Sequence, residues 1–222
     1  STAFIAYAGM ESDPTASAKT ESWNGSGWTE VGDLNTARQK IGNSTRGTTT
    51  ASIAFAGTGA DPSPVVAINE SWNGSAWTEV GNLNTARKGV GGAGTSTAAL
   101  AISGTTAGST ATVANNESWD GTSWTEIADV NTSRMEGGTA GTQDSALFWS
   151  GYPDSPGVLT EQWNGSAWTE VGDLANKLIA SGSAGVNGLS AAAISGYNGS
   201  ANVANVEEWT VPESISNLTI TD

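Results

Sequence analysis

Glu21-Ser22-Trp23-Asn24-Gly25-Ser26-Gly27-Trp28-Thr29-Glu30-Val31-Gly32-Asp33-Leu34-Asn35-Thr36-Ala37-Arg38 decides the fold, because the chain writes it again. It returns as Glu70 to Arg87, as Glu117 to Arg134 and as Glu161 to Leu178, and a broken copy opens at Glu207-Glu208-Trp209. A stretch repeated at a steady period is a structural unit that buries its apolar face against its neighbours. The anchors Glu21, Glu70, Glu117, Glu161 and Glu207 recur every forty-odd residues. That period suits propeller blades and some helical arrays alike, so the pattern inside the unit must decide.

Inside the unit the pattern is that of strands. Trp77-Thr78-Glu79-Val80 alternates with a period of two, and no stretch carries a sustained helical stripe. Asn-Gly separates the two Trp strands in the first, second and fourth copies, and Asp120-Gly121 does so in the third. A two-residue hairpin turn needs positive φ at its centre, and these pairs supply it. Upstream of each Trp hairpin lies a small-residue apolar run ending in Gly: Thr2 to Gly9, Ala51 to Gly57, Ala98 to Gly104, Ser145 to Gly151 and Ser190 to Gly196. Gly-rich stretches such as Gly89 to Thr95 precede these runs. Small residues suit strands crowded about an axis, and Trp suits the wider periphery.

The expectation is an all-β, five-bladed β-propeller of four-stranded antiparallel blades, residues 1–222 forming one domain. The alternating Ile215 to Thr221 is expected to complete the last blade or add to the first, closing the ring at the termini. Ser1 to Gly9 reads as a strand rather than a signal peptide.

The order of Gly-rich strand, apolar strand ending in Gly, loop, Glu-x-Trp strand, second Trp and Leu-Asn-Thr-Ala-Arg resembles the kelch repeat. One feature departs from that pattern: the glycine doublet after the second strand is reduced to Gly9, Gly57, Gly104, Gly151 and Gly196. The closeness of the copies also resembles kelch-like propellers of bacteriophages, marine ones especially, where they look like virion or tail proteins.

Composition narrows the chemistry. The chain has 222 residues, 22 Asp and Glu against 8 Lys and Arg, and a formal net charge of −14. Such a surface repels nucleic-acid phosphates and anionic lipid. There is no Cys and no His, which removes thiolates, the commonest general base and the commonest transition-metal ligand. Copper chemistry of the kind some kelch-type oxidases perform needs both residues. No apolar run approaches the length of a membrane helix.

The repeated residues read as framework. Trp23, Trp28, Trp72, Trp77, Trp119, Trp124, Trp163, Trp168 and Trp209 are expected to fill the wedges between blades, the alternative being platforms for sugar stacking. Arg38, Arg87 and Arg134 are expected to bond loop carbonyls or a Glu of the next blade, the alternative being an anion-binding ring. Leu178 breaks that series. The recurring Glu pairs read as partners of Arg and backbone amides rather than as an acid/base couple, since every copy carries them. Asp33, Asn82, Asp129 and Asp173 read as turn residues bonding their own backbone, with Ca²⁺ ligation as the alternative. Asn-x-Ser triplets such as Asn73-Gly74-Ser75 fall on the hairpin turns, where turn chemistry explains them.

Function is expected where the copies differ. The loops Met10 to Ser17, Thr58 to Val65, Thr105 to Thr112, Tyr152 to Val158 and Tyr197 to Val203 differ most and share one face of a propeller. Met10, Asp13, Asp61, Tyr152, Asp154, Tyr197 and Asn198 are the candidate binding residues; Trp149, individual among the aromatics, reads as core. The reading is a non-enzymatic structural or adhesion module on a virion or cell surface, extracellular. Its expected partners are other surface proteins or a host glycan, with self-assembly into a homo-oligomer, and with no metal, cofactor, nucleic acid or membrane insertion. The alternatives are a carbohydrate-active enzyme on a propeller scaffold, or an amplified or designed repeat without a selected ligand.

Overall fold

The computed structural model describes residues 3–12, 15–59, 64–107, 111–153 and 157–210. Blade 1 contains β1 (Phe4–Tyr7), the small hairpin β2 (Met10–Ser12) and β3 (Thr15–Ala16), β4 (Thr20–Trp23) and β5 (Trp28–Glu30). Blade 2 is β6 (Gly42–Asn43), β7 (Ser52–Phe55), β8 (Asn69–Trp72) and β9 (Trp77–Glu79). Blade 3 is β10 (Gly91–Gly94), β11 (Ala99–Ile102), β12 (Asn116–Trp119) and β13 (Trp124–Ile127). Blade 4 is β14 (Gly138–Gly141), β15 (Ala146–Trp149), β16 (Thr160–Trp163) and β17 (Trp168–Glu170). Blade 5 is β18 (Gly182–Asn187), β19 (Ser190–Tyr197) and β20 (Asn202–Thr210).

This is the expected all-β, five-bladed propeller. Its strands run as antiparallel meanders from the axis outward, and the innermost strands β6, β10, β14 and β18 are consecutive neighbours. Four strands per blade hold for blades 2, 3 and 4; blades 1 and 5 show three each among the described residues. Blade 1 starts at what is the second strand elsewhere, and blade 5 stops at what is the third. The expected closing strand Ile215 to Thr221 lies outside the described residues.

Small residues line the axis because nothing else fits. A Cβ at Gly42 would run into the Phe55 ring, and one at Gly92 would land on the Asn43 carbonyl of the neighbouring inner strand. The blades are also joined by backbone. Gly89 N–H donates to the Lys40 carbonyl, Glu136 N–H to the Gly89 carbonyl and Ala180 N–H to the Glu136 carbonyl, each at 2.8 Å. These four equivalent residues all have left-handed φ, from 50° to 65°, and each donor N–H points back to the preceding blade.

A second left-handed position sits at the end of the second strand. Ala8, Ala56, Ser103, Ser150 and Ser195 have φ between 53° and 61°, each followed by a positive-φ Gly. The backbone takes this left-handed conformation although an Ala or Ser side chain disfavours it, at a cost on the order of 1 kcal/mol each.

The apolar cores lie between blades, one per junction, and the Trp pairs sit in them. Trp72 and Trp77, Trp119 and Trp124, and Trp163 and Trp168 face each other across their hairpins, with ring centroids 5.3–5.4 Å apart. Each pair packs on the blade before it. Tyr7 meets Trp77 edge-on at 4.7 Å, and Phe55 meets Trp124 at 4.9 Å. Trp28 departs from the expectation of a wedge filler. It pairs with Trp23 at 5.6 Å but is 51% exposed, since it belongs to blade 1 and no preceding blade covers it among the described residues.

Candidate binding face

At three junctions a Glu and an Arg of the repeat meet, whereas the second Glu of each recurring pair, at Glu30, Glu79, Glu126 and Glu170, is exposed and does not take the expected place beside an Arg in these junctions. Glu70 stands on the same face as Trp72, buried, where the chain crosses from blade 1 to blade 2. Its Oε2 accepts from the Asn35 backbone N–H at 2.7 Å and from Asn35 Nδ2 at 2.8 Å, and its Oε1 accepts from Thr36 N–H at 3.3 Å. Arg38 Nη2 donates to the same Oε1 at 2.9 Å, and Nη1 donates to the Ala56 and Ile68 carbonyls. Glu117 with Asn84, Thr85 and Arg87 repeats this set, and so does Glu161 with Asn131, Thr132 and Arg134. The three arginines are all buried, and burial pushes each guanidinium below its usual value while the facing carboxylate offsets part of that. Both roles expected for Arg, carbonyl donor and Glu partner, are filled at once, with the Glu in the blade that the Arg opens.

The fourth crossing shows what the guanidinium adds. Leu178 fills the Arg position, fully buried, and Glu207 is only half-buried. Glu207 still accepts from Ala175 N–H at 2.6 Å and Asn176 N–H at 2.8 Å. The carboxylate–turn contact therefore persists without the ion pair.

The turn residues behave as expected with one correction. Asn24, Asn73 and Asn164 each accept from N–H groups two and three residues on, and Asp120 does the same. Those amide donors hold the Asp120 carboxyl below its usual range. Asp33, Asn82 and Asp173, by contrast, do not bond their own turns. They accept from Thr20, Asn69 and Thr160 N–H, at the start of the third strand thirteen residues earlier. No group of three or more Asp and Glu residues able to hold a metal occurs among the described residues.

The loops that differ between copies all leave the second strand on the side where the backbone relay of Lys40, Gly89, Glu136 and Ala180 lies. Thr58 pairs with Gln39, Thr105 with Lys88, Tyr152 with Met135 and Tyr197 with Ile179, so four of the five loops are tied in this way to the chain just before an inner strand. Lys40 and Glu136, from non-adjacent blades, form an ion pair of 2.8 Å over this end of the axis. Met10 is 56% exposed and Tyr197 42% exposed; Tyr152 is half-buried. A cavity of about 440 Å³ beside Tyr197 is lined by Ile179, Ile194 and Asn202.

Other candidates fare differently. Asn198 is engaged by its own turn, its Oδ1 accepting from Ser200 and Ala201 N–H at 2.9 Å, because the Asn-Gly hairpin logic operates there too. Asp13, Asp61 and Asp154 lie outside the described residues. Trp149 is buried in the junction with blade 5, as core. Lys40, Lys88 and Glu136 were not anticipated as members of the face. Their signal is that the position two after Arg38, Arg134 and Leu178 holds Lys40, Glu136 and Ala180 in turn, one positive, one negative and one neutral, with Lys88 one place earlier after Arg87.

No family model matches the chain, and no curated protein matches it. Among solved structures it is similar to one titled "Structure of YjhT", with a TM-score of 0.80, 12% identity, and coverage of 96% of this chain and 79% of that one. At this identity the likeness is one of fold.

Proposed function

We propose that the chain is a non-enzymatic binding module, a kelch-like propeller displayed on a virion or cell surface, that takes a protein partner or a surface glycan on its variable loop face. One observation carries this reading. Glu70, Glu117 and Glu161 and the three recurring arginines are spent on the blade crossings, while Met10, Lys40, Glu136, Tyr152 and Tyr197 gather at one end of the axis. A framework whose polar groups are internally satisfied leaves recognition to what the loops display. Aromatic and thioether side chains beside a mixed-charge pair suit contact with a sugar ring or a polar protein surface.

The test is a glycan array together with a pull-down against surface proteins, followed by titration of any hit against Tyr197→Ala, Tyr152→Ala and Met10→Ser. Loss of affinity by tenfold or more with an unchanged melting temperature supports the reading. Binding that survives all three changes, or turnover of a bound glycan seen as released reducing ends, defeats it.

A further inference from the structure

Asn24, Asn73 and Asn164 are exposed at the tips of the Trp hairpins, at the blade end opposite the variable loops. Each presents its side-chain amide in the same way. Asn73 Oδ1 accepts from Ser75 N–H and Ser75 Oγ at 2.9 Å each, and from Ala76 N–H at 3.0 Å. Asn24 repeats the set with Ser26 and Gly27, and Asn164 with Ser166 and Ala167. Three donors on one carbonyl oxygen withdraw electron density from Cγ and favour negative charge arriving on Oδ1, as donors aimed at a developing oxyanion do. The next residue is the exposed Gly25, Gly74 or Gly165, whose N–H makes no hydrogen bond among the described residues. No side chain hinders its approach.

Two further Asn-Gly pairs differ from these three. Asn198 is exposed beside Tyr197 on the loop face, and its Oδ1 has two donors, Ser200 and Ala201 N–H at 2.9 Å. Asn187, on the inner hairpin of blade 5, is half-buried, and its Oδ1 has one donor, Leu189 N–H at 2.9 Å. Gly188 is buried, and its N–H is held by Ser145 Oγ of blade 4 at 3.1 Å. The backbone nitrogen that is open in the outer hairpins is shut there.

We propose that Asn24, Asn73 and Asn164 are self-modifying sites that deamidate within the folded chain, with Asn198 following more slowly and Asn187 protected. The backbone nitrogen of Gly74, losing its proton to hydroxide, attacks Cγ of Asn73. The N–Cγ bond forms, the Cγ–Nδ2 bond breaks, and Nδ2 leaves as ammonia with a proton from water. Water then opens the five-membered imide, at Cγ to give Asp or at the Asn73 backbone carbonyl to give isoaspartate. Each site consumes one water, releases one ammonia and gains one negative charge. The third copy already holds the aspartate side chain. Asp120 accepts from Thr122 and Ser123 N–H at 2.8 Å, so the turn keeps its hydrogen bonds around a carboxylate. At Asn198 the new charge appears beside Tyr197, on the face proposed for binding.

The experiment is incubation of the 222-residue chain at mildly alkaline pH, followed by peptide mass spectrometry that resolves Asp from isoaspartate. A mass gain of one unit is expected first at Asn24, Asn73 and Asn164 and then at Asn198, each at least tenfold faster than at Asn187. In urea that unfolds the chain the five sites should react at similar rates, since all are Asn-Gly. Ser75→Ala should slow Asn73 severalfold and leave Asn24 and Asn164 unchanged. Equal rates at Asn187 and the outer turns of the folded chain would overturn the proposal. So would inert outer turns, an Asn187 that stays slow in urea, or an Asn73 indifferent to Ser75→Ala.

Discussion

A guanidinium held at 2.9 Å from a carboxylate, with both fully buried, is an all-or-nothing arrangement. Replacing Arg87 by Leu leaves the Ser103 and Asn115 carbonyls without their donor and Glu117 without its counter-charge, at a cost of about 3–5 kcal/mol. Urea unfolding of Arg87→Leu should read that loss, while Glu207→Gln, at the crossing that already has Leu178, should cost about 1 kcal/mol. Tyr7 makes a different prediction. Its hydroxyl lies against Ser52 Oγ and donates to the Ile53 carbonyl, and burial pushes its pKa up to about 12. Above pH 10 the unfolded chain loses this proton and the folded chain keeps it, so stability should fall between pH 10 and pH 12 by on the order of 2 kcal/mol. The decline should be shallower in Tyr7→Phe, measured by denaturant midpoints across that range.

Strands and hairpins were open to reading because each has a local cause. The Asn-Gly turns, the alternating Trp-Thr-Glu-Val and the glycine-rich inner runs carry their conformation in their own composition. The left-handed Ala56 and Ser103 were not legible, since Ala and Ser give no sign of positive φ; the surrounding hydrogen bonds impose it. One of these, from Ala56 N–H to the Ile68 carbonyl at 2.9 Å, joins residues twelve apart in sequence. The relay through Lys40, Gly89, Glu136 and Ala180 was invisible for a related reason, because it is made of backbone atoms and tolerates four different side chains. Glycine content has a sharper test. Gly92→Val should cost about 1–3 kcal/mol or more, because its side chain meets the Asn43 carbonyl of the adjacent blade. Gly27→Ala, where a Cβ meets nothing within 4 Å, should be neutral within about 0.5 kcal/mol by thermal melting.

For the whole molecule the deciding quantity is charge. Three of the eight basic residues, Arg38, Arg87 and Arg134, are buried with a Glu each, so the surface keeps the full excess of acid. Self-repulsion of that surface opposes compactness and is screened by salt. The melting temperature should therefore rise between 10 and 150 mM NaCl at pH 7, on the order of a few degrees, and level off beyond a Debye length of about 8 Å. The repeat made the five blades and their order readable from end to end, but the exposure of Trp28 was not readable, because it depends on what packs against the hairpin and not on the hairpin's own residues.

Each crossing onto blades 2, 3 and 4 is spelled out wholly within two successive copies: Asn-Thr and Arg from the connecting segment, Glu and the indole pair from the hairpin that follows. An unequal crossover between two copies of the coding sequence therefore deletes or adds a complete unit without rewriting any surviving contact, and only the curvature of the ring resists the change. Heritable variation in length is the form of change this architecture absorbs at least cost, ahead of substitution at any one of its buried letters.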